Sequence, residues 1–116
     1  MRFVSVVVGG LLVALAVARA DAAVPNSITA LLGPSIGYLL GQSDLCGWNL
    51  NDRIHTTYRN AFQQLGMTEA QKTAVWSDAK ARETRLSALP QQAKAGMKAN
   101  ICTSSSRAQL EQDLAE

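Results

Sequence analysis

An all-α fold is the class this sequence predicts: a small bundle of four to five short helices closed by one disulfide. Three observations point to it. Apolar residues recur at helical spacing in one segment after another, and no stretch alternates with period two. Helix starts and stops are written in residues that suit them, such as Gly47, Gly66, Thr68 and Pro90. Two cysteines occur, Cys46 and Cys102, far apart in the chain and an even pair.

The N-terminus sets the context for that pair. Arg2 provides a short positive region, and Phe3 to Val17 is an apolar run broken only by Ser5, Gly9 and Gly10. Ala20-Asp21-Ala22 then gives a small-x-small cleavage signature. Residues 1–22 therefore read as a cleavable secretory signal peptide, cut after Ala22 with Ala20 as the alternative. The run is about 15 residues, short of the about 20 that a spanning helix needs. Residues 23–116 remain as one helical domain of 94 residues, with nine Lys and Arg against eight Asp and Glu. A net charge near zero and export together argue against nucleic acid as a partner.

An exported chain meets an oxidising compartment, where Cys46 and Cys102 are expected to form one disulfide. The loop it closes, about 57 residues, is worth about 4 kcal/mol as an upper expectation. A domain this small gains visibly from that. There is no C-x-x-C, and a single histidine cannot complete a zinc site, so neither metal nor cofactor is expected.

Each helix can be justified in turn. Residues 23–27 read as a loose leader, with Asn26 or Ser27 able to cap the first helical segment. Pro34 suits a first helical turn and not a middle, so a short turn is expected before it and a helix over 34–46, stopped by Gly47. The second helix runs from about Leu50 or Asn51 to Leu65, with Asn49 or Asn51 as its cap. Its residues Ile54, Tyr58, Ala61, Phe62 and Leu65 make one apolar stripe, and Gly66 ends it. Thr68 and Gln71 form a capping box that opens the third helix, with Met67 placed as a staple. Ala70, Val75, Trp76 and Ala79 should be its buried face. A fourth helix covers about Pro90 to Ile101, with Ala93, Met97 and Ile101 stacked. Ser106 and Gln109 suggest a second capping box before a last helix carrying Leu110 and Leu114.

The sharpest local pattern is Gly33, Gly37 and Gly41, four apart on one helix face. Glycine costs about 1 kcal/mol against alanine in a helix, so its repetition implies that another backbone comes close. With Leu39 and Leu40 beside it, this face is the candidate contact for a protein partner or a second copy. A tight contact inside the monomer is the other reading of the same spacing. Lys80, Arg82, Arg85, Lys94 and Lys98 form a candidate patch for an anionic partner, including lipid headgroups or peptidoglycan, or else a solvated face with Glu83 three after Lys80. The acidic end, Glu111, Asp113 and Glu116, could face that patch.

His55 is the one histidine, with Asp52 three residues before it and Arg59 four after. It could serve as a general base, yet no serine sits in a nucleophile elbow and no oxyanion loop is evident. The bland reading is a half-exposed residue bonded to Asp52. Trp48 and Trp76 could line a pocket, but two tryptophans in so small a domain more often anchor its core, Trp48 against the disulfide. The segment Leu65 to Gln71 has the look of a helix-turn-helix turn, which export and near-neutral charge set aside.

In general plan the chain is similar to the periplasmic acid-stress chaperones of enteric bacteria, which are also exported, small, helical and closed by one disulfide between distant cysteines. It departs from them in having only two lysines after residue 81. The resemblance rests on plan and cysteine count and assigns no role to any residue. The expectation is an exported, non-enzymatic helical module, periplasmic or secreted, that binds a protein partner or itself. A stress chaperone loosened by acid is the alternative, and a small hydrolase using His55 the remote one.

Overall fold

The computed structural model describes residues 24–115. They form five α-helices: α1 Asn26–Cys46, α2 Asn51–Leu65, α3 Glu69–Ser87, α4 Gln91–Ile101 and α5 Ser104–Ala115. No strand occurs among the described residues, so the bundle is all-α. A disulfide joins Cys46, at the end of α1, to Cys102, directly after α4. The expected signal peptide lies outside the described residues.

α1 is longer than the proline suggests. It runs unbroken through Pro34 and begins at Asn26, with Pro25 preceding it and no side-chain cap. Mid-helix proline costs about 3 kcal/mol, because a backbone hydrogen bond is lost and the ring crowds the previous turn. Two features offset this. Gly33 has no Cβ to clash with the Pro34 ring, the clash that normally pushes a pre-proline residue out of the helical region. Leu32, Ile36 and Leu40 bury their side chains along one stripe, each worth about 1.5–3 kcal/mol. Nor is the leader loose. Val24 is buried, and its carbonyl accepts from Gln71 Nε2 at 2.6 Å.

Two helix ends share one solution. Gly47 and Gly66 adopt left-handed φ of 65° and 70°. The amides of Gly47 and Trp48 then reach the carbonyls of Asp44 and Ser43, and those of Gly66 and Met67 reach Gln63 and Phe62. Both are Schellman ends, a conformation that glycine adopts without steric cost. The start of α2 differs from expectation. Asn49 takes a φ of 59°, and no side chain caps the helix at Leu50. Instead, buried Ser43 Oγ accepts from the Leu50 amide at 2.9 Å.

The capping box of α3 is present in full. Thr68 Oγ1 accepts from the Gln71 amide and Gln71 Oε1 from the Thr68 amide, each at 3.0 Å. Val75 and Ala79 are buried, Trp76 is half-buried, and Ala70 is exposed, contrary to its place in the expected stripe. The last helix also starts earlier than Ser106 suggests. Thr103 Oγ1 accepts from the Ser106 amide at 3.1 Å, so the cap lies three residues upstream.

The core gathers Leu32, Ile36 and Leu40 of α1, Ile54, Phe62 and Leu65 of α2, and Val75 and Ala79 of α3. Leu110 of α5 closes one side of it. Trp48 belongs to this core, and both cysteines pack against it. α4 contributes no buried residue: Ala93 is exposed, and Met97 and Ile101 are half-buried.

Candidate functional site

The glycine face is occupied within the chain, by α3. A Cβ on Gly33 would lie 2.5 Å from Asp78 Cβ, and one on Gly37 would lie 2.5 Å from the Ala79 carbonyl oxygen and 2.6 Å from Arg82 Cβ. A Cβ on Gly41 would collide with Leu86. All three glycines are buried, Leu40 is 1 % exposed, and Leu39 packs against the core. The face expected to meet a partner is thus the seam of the monomer. The spacing needs a close backbone, and α3 supplies it.

The basic residues divide between two helices. Lys80, Arg82 and Arg85 lie on α3, and Lys94 and Lys98 on α4. Lys80, Arg85 and Lys98 are exposed, and Arg82 and Lys94 are half-buried. Lys94 and Lys98, one turn apart, line a groove of about 250 Å³ together with Leu45, Leu86 and Asp44. This groove runs where α4 meets the ends of α1 and α3, close to the disulfide. Of the acidic end, which could have faced the patch, Glu116 lies outside the described residues. Glu111 pairs with Arg53 at 3.7 Å and Arg107 at 3.5 Å, on the α2–α5 side.

α4 is held at its C-terminal end. Besides the cystine, Gln42 Nε2 of α1 donates to the Ile101 carbonyl at 3.1 Å. The chain thus fixes one end of a helix that it does not use to build its core.

His55 lies flat on Trp76, with ring centroids 4.7 Å apart and planes at 29°. Trp76 in turn meets Phe62 at a tilt, with centroids 5.5 Å apart. What orients the imidazole is an aromatic stack, not the expected bond to Asp52, and both tryptophans serve the core or its margin. Tyr58 beside it is half-buried, and burial first, then the Asp113 charge, raises its hydroxyl above the ordinary range.

One cluster has no counterpart among the sequence motifs. Asp44 near the end of α1 and Glu83 of α3 come together at the start of α2, where Asn51 Nδ2 donates to Asp44 Oδ1 at 2.9 Å and to Glu83 Oε2 at 3.3 Å. The signal is too weak to find in the sequence: two acids on separate helices look like ordinary surface residues until the helices pack.

Among the described residues no group of three or more His, Cys, Asp or Glu could hold a metal, and no helix is long and apolar enough to cross a membrane. Compared with protein-family models, curated proteins and solved structures, the chain finds no match.

Proposed function

We propose that the chain is an exported, non-enzymatic binding module that presents α4 and the adjoining basic surface to an acidic segment of a partner protein. The observation that carries this reading is α4 itself. It buries no residue, yet a disulfide and the Gln42–Ile101 bond secure it against α1. A helix that adds nothing to the core and is still covalently secured is suited to recognition. Lys94 and Lys98 give it a positive edge, with Leu45 and Leu86 beside them in the groove. Charge complementarity therefore favours an acidic partner.

Export fits the same reading. A helix that depends on a cystine keeps its place only where thiols stay oxidised, in the periplasm or outside the cell. A cut after Ala22 would spare Val24, which the core uses.

The test is crosslinking of the tagged protein in its own compartment, followed by mass spectrometry. One or two partners in stoichiometric yield, lost in the double variant Lys94→Glu/Lys98→Glu with its helical content unchanged, are the expected result. Undiminished capture by that variant would remove α4 as the contact. A broad set of unrelated proteins that grows as the pH falls would instead indicate the acid-chaperone reading.

A further inference from the structure

The Asp44–Glu83 cluster has a chemistry of its own, independent of what binds in the groove. Asp44 lies in the last turn of α1, where the helix dipole disfavours a negative charge. Glu83 is largely withdrawn from water, its side chain 15 % exposed. One amide nitrogen, Asn51 Nδ2, holds both carboxyls, Asp44 Oδ1 at 2.9 Å and Glu83 Oε2 at 3.3 Å, and two carboxylates brought so near cannot both remain charged without cost.

Groups from three helices surround the pair. From α2, the Asn51 amide touches both acids, and Asp52 follows it with a further negative charge. From α3, Lys80 approaches Glu83 at 3.8 Å, but its side chain is 77 % exposed. From α4, Lys94 and Lys98 line the groove that Asp44 also lines.

We propose that Glu83 is protonated at mildly acidic pH and donates to Asp44, so that the pair latches the junction of α1, α2 and α3 on acidification and loosens that junction as the pH rises. The Glu83 carboxyl is raised from 4.5 to about 7. The hydrogen bond with Asp44 is the largest cause, followed by burial and by the charge of Asp44, while Lys80 pulls the other way. A carboxyl raised in the folded state binds its proton more tightly there than in the unfolded chain. Its stabilisation is complete below 4.5 and fades as the pH climbs through about 7.

This is opposite in sign to a fold that opens in acid. Between mildly acidic and mildly alkaline pH, the junction should be tightest at the acidic end.

The experiment is a pair of measurements on the oxidised chain. In the first, the Glu83 carboxyl is titrated by carbon NMR. A midpoint near 7 supports the latch, and one near 4.5 overturns it. In the second, thermal unfolding is followed from about pH 5 to about pH 8 in a His55→Gln background, which leaves the chain without a histidine. Tm should fall across that range, and Glu83→Gln, whose amide can donate to Asp44 at any pH, should abolish the fall. A fall that persists in Glu83→Gln, or no fall in the parent, would overturn the proposal.

Discussion

The α1–α3 seam and α4 are held by opposite means. In the seam, glycines bring two backbones together until a single added Cβ would collide with Ala79 or Asp78, and Ile36, Leu40 and Val75 are buried beside them. Its stability is close packing, spread over many small contacts. α4 has no buried residue and is fastened at one end by a covalent bond and a side-chain hydrogen bond. Two helices of one small domain can thus differ in what keeps them folded. The packed seam should therefore be intolerant of substitution and little affected by reduction, and the tethered helix the reverse.

The largest expected effect breaks the seam. Gly37→Leu forces a side chain against the Ala79 backbone, which cannot yield as a flexible side chain would. Overpacking ordinarily costs about 1–3 kcal/mol and here should reach or exceed the top of that range, lowering the urea midpoint sharply or abolishing the cooperative transition. A variant as stable as the parent would mean that α3 does not sit where the seam requires it.

Next comes the tether. Replacing both Cys46 and Cys102 by serine should cost about 2–4 kcal/mol by the same measurement, with most of the helical signal retained. The groove lined by Lys94 and Lys98 should lose its α4 wall first.

A smaller effect sharpens the comparison on the seam side. Thr68→Ala removes the acceptor that caps α3 and should cost about 1 kcal/mol. The redox sensitivity of α4 should be unaffected. Smaller still, Arg53→Ala removes the exposed pair with Glu111 and should change stability by less than about 1 kcal/mol.

What the sequence makes legible divides along physical lines. Signals that act within a few residues can be read: the Thr68–Gln71 box, the stops at Gly47 and Gly66, and the period of α2. Each depends on local backbone geometry that neighbouring residues decide. Pro34 misleads because its cost is local, while the burial that outweighs it comes from α3 and the rest of the core. The cap of α5 falls to Thr103 and not Ser106 because both hydroxyls suit the role and only the path of the chain after the cystine chooses between them.

The glycine spacing announces a close approach without saying by what. A stripe of small residues fits an outside partner and an inside helix equally well, and only the packing of α3 decides. The Asp44–Asn51–Glu83 junction carries no signal at all, since its members lie on three helices. The even cysteine pair is the exception among long-range contacts: with two cysteines, only one pairing exists.

The most direct test of the contrast is hydrogen exchange, followed by mass spectrometry, on the oxidised and the reduced chain. Reduction should strip protection from the amides of Gln91–Ile101 and leave those of α1 and α3 protected along the glycine seam. If α1 and α3 lose protection together with α4, or if α4 stays protected without its cystine, the division into a packed seam and a tethered helix is wrong.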